Sequence, residues 1–175
     1  DCDCHRQSIG KFISTFYAGA EHVFFMSHAQ RDIHTDRFPF LSENTSVLSS
    51  VFSVQDLELI QNLSNTHTEN NGKWAIVDGN SWIKGVDESK KLLDERGDDY
   101  EVIGGLSYSD LLRKLSEFKG LVSRPLGADT CPRLVIEAKL LGLELDVNEN
   151  VQHYSEEWFQ DDSTEIYLLE GHNRF

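Results

Sequence analysis

Cysteine, proline and long hydrophobic runs are all scarce in this sequence. Its 175 residues include three cysteines, at positions 2, 4 and 131, and three prolines. So few cysteines do not suggest a disulfide framework, and they fit a reducing compartment. No apolar stretch approaches the roughly 20 residues of a membrane-spanning helix, and no signal-peptide pattern opens the chain. We therefore expect a cytoplasmic protein, with peripheral membrane attachment as the alternative.

Positive charge is also scarce. The chain has 16 Lys and Arg against 30 Asp and Glu, which gives a formal charge of −14. Nucleic acids and anionic membranes bind basic surfaces, so neither is expected as the main partner. A local basic pocket is still compatible with this net negative charge. The hydrophobic fraction of 39% is typical of a globular protein. The length suits one ordinary domain, or one domain and part of another.

Residues 1–5 suggest a metal site, because Cys2, Cys4 and His5 alternate with aspartates. Structural zinc takes four ligands at wider spacing, and the sequence offers no second set of Cys or His partners. We predict a loose terminal segment and no metal.

The most informative stretch is 121–142, which predicts a buried strand, a turn and a helix. The chain breaks at 125–127, and Asp129 or Thr130 is the predicted N-cap, with Pro132 in the first turn. Apolar residues at helical spacing then form one face, and Gly142 ends the helix. The members of that face are Leu134, Val135, Ala138 and Leu141.

Two carboxylates flank the start of this predicted helix: Asp129 lies before it and Glu137 two turns along it. A strand that leads into the open N-terminus of a helix aims several backbone N–H groups at one place, which favours an anion. Carboxylates beside such a place are suited to accept hydrogen bonds from sugar hydroxyls. The stretch therefore predicts a nucleotide-diphosphate site.

Apolar periodicity predicts alternating strands and helices along the chain. Helices are predicted at 10–20, 29–38, 54–63, 86–96, 107–118, 155–159 and 165–169, and strands at 22–26, 45–52, 73–77, 99–103, 120–123 and 143–147. Ser27 and Ser107 are the predicted N-caps of the second and fifth of these helices. This order predicts an α/β fold: a Rossmann-like parallel sheet with helices on both faces, preceded by a partial α/β segment. The polar stretch 64–72 is the predicted linker between 1–63 and 73–175.

The chain resembles the retaining GT-B glycosyltransferases of family 4 and their relatives. These carry an acidic residue, seven further residues, Glu-Ala, a few small or apolar residues and Gly; Asp129, Glu137-Ala138 and Gly142 match that pattern, with Asp in place of the usual Glu. The run AIVDGNSWIKGVDESKKLL resembles the start of the donor-binding domain, with Lys84-Gly85 at the family's Lys-Gly. The run from Tyr100 to Gly142 is similar throughout. MSHAQRDIHTDRFPF and VLSSVF resemble the end of the first domain and the crossing into the second.

The resemblance implies roles for particular residues. Glu137 would bind the ribose, Asp129 the donor sugar, and Lys84 the diphosphate, which makes Asp129 and Lys84 the expected catalytic residues. Thr130, Cys131 and Arg133 would lie at the same helix start. Gly105 and Leu106 would lie beside the base. The Arg that the family places before the Lys is missing, and Arg124 or Arg133 could replace it.

The function that the resemblance implies is transfer of a sugar, with retention and without a metal or other cofactor, from a nucleotide-diphosphate sugar to a glycan, lipid or other small acceptor. Such an enzyme would serve glycan biosynthesis. Because residues 1–72 are few for a complete acceptor-side domain, we expect a missing domain or a partner chain, and nucleotide binding without efficient transfer by this chain alone. Two alternatives stay open: a non-catalytic nucleotide- or sugar-binding module, and a flavodoxin-like interaction domain.

Overall fold

The computed structural model describes residues 6–66, 69–79, 81–130 and 132–161. The chain divides into two compact units, Asp1–Ser50 and Val51–Phe175, which are described separately.

The first unit contains two helices and two short parallel strands. Its elements are α1 (Ser8–Gly19), β1 (Val23–Phe25), α2 (His28–Arg37), a 3-10 turn (Pro39–Leu41) and β2 (Thr45–Val47). Ser27 caps α2 as predicted, since its hydroxyl accepts a hydrogen bond from the Gln30 amide at 3.0 Å. The strand predicted at 45–52 is shorter than expected. It ends at Val47 because β1, its partner, ends at Phe25.

The second unit is an α/β domain built on a four-stranded parallel sheet, which confirms the predicted fold class. The sheet order is β4-β3-β5-β6, and every neighbouring pair is parallel. Its elements, in chain order, are α3 (Val54–Thr66), β3 (Trp74–Val77), a 3-10 turn (Trp82–Lys84), α4 (Val86–Arg96), β4 (Tyr100–Ile103), α5 (Tyr108–Leu115), β5 (Gly120–Ser123), α6 (Arg133–Leu140), β6 (Glu144–Val147) and α7 (Glu157–Gln160). The helix predicted at 165–169 lies outside the described residues.

Side chains alternate between the two faces of this sheet, and helices cover both faces. Ala75 and Leu121 lie in the larger core, which also contains residues of α3, α5 and α6. Ile76 and Val122 point the other way and pack with Leu93 of α4. Successive strand residues face opposite sides, so a strand with both faces buried is apolar throughout, as β3 is with the sequence Trp-Ala-Ile-Val.

The chain reverses its direction across the sheet at β3, where a binding crevice is expected. From β3 it passes to β4 on one side and then crosses to β5 on the other side. The loops that leave the carboxyl ends of β3 and β5 therefore diverge, and open α/β sheets bind ligands at such a switch point.

Direct backbone contact holds these two loops together. The Leu126 amide donates to the Ile83 carbonyl at 2.8 Å. Gly85 has a left-handed backbone (φ 64°), and a Cβ built on it would lie 1.9 Å from the Arg124 carbonyl oxygen. Only glycine fits there, for both its conformation and its lack of a side chain.

The division of the chain after Ser50 lies upstream of the linker predicted at 64–72. α3 covers part of that stretch, buries Ile60 and packs on the same core as α6. The polarity of residues 64–72 indicated a surface connection. The apolar face of α3, which includes the buried Ile60, packs instead on the core of the second unit. The predicted bounds 1–63, 64–72 and 73–175 stay a prediction about functional domains.

The close approach at Gly85 gives a stability prediction with a matched control. Gly97 is also left-handed (φ 72°), but a Cβ there would meet nothing within 4 Å. Gly97→Ala should therefore lose only ~1–2 kcal/mol of backbone energy, whereas Gly85→Ala should lose about 2–5 kcal/mol because it adds overpacking. Urea unfolding of both variants measures the difference, and equal losses would show that the two loops do not touch as described.

Candidate functional site

A cleft of about 660 Å³ opens at the carboxyl ends of β3 and β5. Its walls come from these strand ends and from α3, α5 and the first turns of α6. It therefore lies at the switch point of the sheet, the usual ligand position in this class of fold. Six charged residues line it: Asp56, Asp78, Lys84, Asp129, Arg133 and Glu137.

The first pair in the cleft joins two residues predicted from the sequence. The Lys84 ammonium donates to Oδ2 of Asp129 at 2.7 Å, across 45 residues of sequence. Lys84 ends the 3-10 turn after β3, and Asp129 lies in the loop after β5. The Asp129 amide donates to the Asn150 carbonyl at 2.8 Å, and its own carbonyl accepts from the Gln152 amide at 3.2 Å. These bonds fix Asp129 independently of its side chain.

Asp129 and Thr130 do not cap α6, which corrects the sequence prediction. The N-cap residue is Pro132, without a side-chain capping bond, and the helix begins at Arg133. The Asp129 carboxylate bonds to Lys84 instead, and Thr130 is exposed outside the cleft lining. The start of α6 thus borders the cleft without a side-chain bond from its N-cap residue, which suits an anion.

The second cluster centres on Glu137, whose side chain is almost fully buried. Its Oε1 accepts two hydrogen bonds, from Arg133 Nε at 2.8 Å and from the Tyr108 hydroxyl at 2.9 Å. Oε2 has no hydrogen-bond partner among the described residues. Glu137 is among the residues that line the cleft.

Arg133 connects Glu137 to the opposite wall. Its Nη2 donates to Asp56 Oδ2 at 2.9 Å, and its guanidinium carbon lies 4.4 Å from the centroid of the Phe52 ring. The spacing of Arg133 and Glu137 also allows an ordinary exposed helix pair, which is the alternative to a ribose-binding role for Glu137. In the structure the pair belongs to a hydrogen-bonded network with Tyr108 and Asp56, in which the Glu137 carboxylate is nearly inaccessible to water.

The two donors to Glu137, Tyr108 and Arg133, both have raised pKa values. Burial raises the pKa of Tyr108 to about 12, so its hydroxyl stays protonated, and able to donate, to a higher pH than an ordinary tyrosine. For Arg133, burial lowers the pKa, but the hydrogen bonds to Glu137 and Tyr108 raise it by more, and the guanidinium stays charged.

Other predicted site residues lie elsewhere. Gly105 and Leu106 are exposed in the loop after β4 and do not line the cleft. Arg124 also stays outside the lining, and its Nη1 donates to Asp146 Oδ1 at 2.7 Å. Of the two candidate replacements for the missing arginine, only Arg133 reaches the cleft. Cys131 and residues 1–5 lie outside the described residues.

Three important residues were missed by sequence reasoning: Phe52, Asp56 and Tyr108. Asp56 is an acidic residue in the first turn of α3, a common position, and it lies 77 residues from Arg133 in sequence. No local pattern connects them. Tyr108 follows the correctly predicted cap Ser107, whose hydroxyl accepts from the Asp110 amide at 3.3 Å, so helix position was a partial signal.

The balance of charge limits what the cleft can bind. Four carboxylates and two cations give its lining a formal charge of −2. An anionic group fits only beside Lys84 and the start of α6, while the carboxylates favour hydroxyl donors. Among the described residues no group of three or more His, Cys, Asp or Glu could hold a metal ion.

No protein-family model matches the chain, and no curated protein matches its sequence significantly. Within the described part of the chain, no helix is both long and apolar enough to cross a membrane.

The network around Glu137 predicts a coupled effect on stability. Arg133→Met keeps the contact with Phe52 but leaves the Glu137 carboxylate short of a charged partner. We expect the unfolding free energy to fall by about 2–3 kcal/mol. This is less than the ~3–5 kcal/mol lost when a fully buried ion pair is broken, because the Arg133 side chain is 38% exposed. The double variant Arg133→Met with Glu137→Gln should regain part of the lost unfolding free energy, because it no longer contains the carboxylate without a charged partner.

The control is Arg113→Met, which breaks an exposed pair with Asp110 and should change the unfolding free energy by ~0–0.5 kcal/mol. Chemical unfolding of Arg133→Met, Glu137→Gln, their double variant and Arg113→Met measures the four unfolding free energies. Additive losses from Arg133→Met and Glu137→Gln would contradict the network.

Proposed function

We propose that this chain carries the donor-binding half of a retaining GT-B glycosyltransferase of family 4 or a related family. It would bind a nucleotide-diphosphate sugar and transfer the sugar to a glycan, lipid or other small acceptor, without a metal. One observation carries the proposal most: Lys84, Asp129 and Glu137, separated in sequence, all line one cleft at the switch point of a parallel sheet.

The diphosphate is assigned to the place between Lys84 and the start of α6. The Lys84 side chain is partly exposed beside the cleft, so its ammonium can exchange Asp129 for phosphate oxygens without a rearrangement of the backbone. The uncapped amides of α6 add the positive end of the helix dipole. The Lys84 ammonium and the helix start are both needed to bind the diphosphate, because the other charged groups nearby are mainly acidic.

The ribose is assigned to Glu137. Tyr108 and Arg133 both donate to Oε1, which leaves Oε2 to accept a hydrogen bond from a ribose hydroxyl. A carboxylate held by two donors keeps one orientation, so little side-chain freedom is lost when the ligand binds. Tyr108 and Arg133 are positioning residues in this account.

The catalytic contribution of the protein would be electrostatic. Negative charge develops on the diphosphate as its bond to the sugar breaks, and Lys84 with the α6 N-terminus would stabilise that charge. Asp129, adjacent to Lys84, would accept hydrogen bonds from donor-sugar hydroxyls. Thr130, Gly105 and Leu106 are not in the cleft lining, so the proposal assigns them no contact.

A flavodoxin-like interaction domain is the second candidate, because the strand order of the second unit favours it. Numbered within that unit, the order is 2-1-3-4, as at the start of flavodoxin-like sheets. A non-catalytic nucleotide- or sugar-binding module would keep the same cleft. Nucleoside-diphosphate binding separates the interaction domain from the other two, and turnover separates enzyme from binding module.

The assignment of Lys84 predicts a phosphate-specific loss. Lys84→Ala should weaken nucleoside-diphosphate binding about ten- to a hundredfold, since a charged hydrogen bond contributes ~1.5–3 kcal/mol, and should change nucleoside binding little. Lys119→Ala is the matched control, because Lys119 precedes β5 at the opposite end of the sheet. Equal losses for nucleotide and nucleoside would place Lys84 away from the phosphates.

The assignment of Glu137 predicts the complementary result. Glu137→Gln keeps the size of the side chain but removes its charge, so nucleoside diphosphate should bind about ten- to a hundredfold more weakly. Pyrophosphate, which has no ribose, should be nearly unaffected. The exposed Glu144→Gln serves as control. Calorimetric titration with both ligands decides, and unchanged nucleotide affinity in Glu137→Gln would remove Glu137 from the site.

A further inference from the structure

Helix α1 of the first unit leaves a stripe of large apolar side chains in water. The stripe follows the helical spacing i, i+3, i+4 and i+7, so its members share about 100° of the helix circumference. Its members are Ile9, Phe12, Ile13 and Phe16, which are 56%, 60%, 42% and 66% exposed. The Phe12 and Phe16 rings meet edge to face, with their centroids 5.1 Å apart. These four residues, the α1 stripe, form a contiguous apolar surface of the kind that marks an interaction site.

The stripe is not the side by which α1 joins its own unit. Tyr17 lies about 90° around the helix from the centre of the stripe. Its ring centroid lies 5.9 Å from that of His34 and 5.7 Å from that of Phe38. Gly10, on the same side as Tyr17, is buried. The helix is therefore held against α2 by one side, while the stripe is available to another surface.

The side of α1 opposite the stripe is small and nearly uncharged. It consists of Lys11, Ser14, Thr15 and Ala18, and α1 contains no acidic residue. The Ser14 and Thr15 hydroxyls donate to the Lys11 carbonyl at 2.7 Å and 3.1 Å, which satisfies them within the helix. An amphipathic helix with bulky apolar residues opposite a side of this kind binds a lipid surface through apolar contact and gains little from lipid charge.

Area and charge distinguish the surfaces that could cover the stripe. Its exposed part amounts to about 400 Å² per chain, because a large apolar side chain presents about 150–250 Å². A stable protein interface buries about 800 Å² on each partner, so the stripe is too small to hold a second copy of the chain. Anionic lipid is disfavoured, because the chain has a formal charge of −14 and α1 offers one cation. A neutral lipid surface requires neither a larger area nor more positive charge.

We propose that the α1 stripe binds neutral, strongly curved lipid surfaces, where loosely packed headgroups let its phenylalanines and isoleucines reach the acyl chains. α1 is about 18 Å long, so it lies in the plane of the headgroups and does not cross the bilayer, which takes ~20 residues. The inference goes beyond the proposed function and does not depend on it, because the residues that line the donor cleft all belong to the second unit.

Flotation of the whole protein with lipid vesicles tests the proposal. The vesicles are sonicated dioleoylphosphatidylcholine of about 30 nm diameter, extruded vesicles of the same lipid of about 200 nm, and sonicated vesicles with about 30% dioleoylphosphatidylserine. We expect the small neutral vesicles to bind about fivefold more protein than the large ones at equal accessible lipid, since binding through packing defects depends on curvature. Phosphatidylserine should not increase the bound fraction.

Substitutions in the stripe assign the binding to α1. Phe16→Ser should weaken binding to the small neutral vesicles about tenfold, because one large apolar side chain no longer enters the lipid. Phe12→Ser should have a similar effect. Both side chains are exposed, so neither variant should unfold the protein, which circular dichroism checks. Trp82→Ala is the matched control: it removes a 78% exposed aromatic ring of the second unit and should leave vesicle binding unchanged.

Three flotation results would overturn the proposal: no binding to the small neutral vesicles, stronger binding to the phosphatidylserine vesicles, or undiminished binding by Phe16→Ser and Phe12→Ser. Sedimentation velocity without lipid tests the second copy as the occupant. A concentration-dependent dimer that Phe16→Ser dissociates would assign the stripe to self-association and would also overturn the lipid role. Titration of the same protein with nucleotides tests the donor cleft separately, so the two proposals can fail independently.

Discussion

The backbone contact between Gly85 and the Arg124 carbonyl is the constraint on which the candidate site depends. It joins the loop after β3 to the loop after β5, where the chain reverses across the sheet. Without it, Lys84 and Asp129 would belong to two independent surface loops. With it, a 2.7 Å ion pair forms between residues far apart in sequence. A position without a side chain thus determines where two charged side chains meet.

A second constraint acts on the opposite wall, where buried charge must be compensated. Glu137 is 2% exposed and is stabilised there by Arg133 and Tyr108, while Arg133 is in turn bonded to Asp56. Such a network is costly when one member is removed, because the remaining charge stays in a poorly solvated place. The two constraints meet in one cleft, which has a cationic place for an anion and an oriented carboxylate for a hydroxyl.

Much of the fold could be predicted from the sequence because local periodicity controls it. The helix at 86–96 and the strand at 120–123 have the predicted bounds, and Ser27 and Ser107 are caps, as expected. The errors arose where tertiary contacts outweigh local preference. Asp129 looked like a cap, but Lys84 binds its carboxylate. The contact of Asp56 with Arg133 spans 77 residues, and no spacing rule extends so far.

The most direct test of the account is calorimetric titration of the unmodified protein with UDP-, GDP- and ADP-glucose, together with the free nucleosides. We expect one nucleotide sugar to bind at a single site and at least tenfold more tightly than its nucleoside, since phosphate contacts with Lys84 and the start of α6 contribute ~1.4 kcal/mol or more. Failure of all three to bind at millimolar concentration would contradict the assignment of the cleft to a nucleotide-sugar donor.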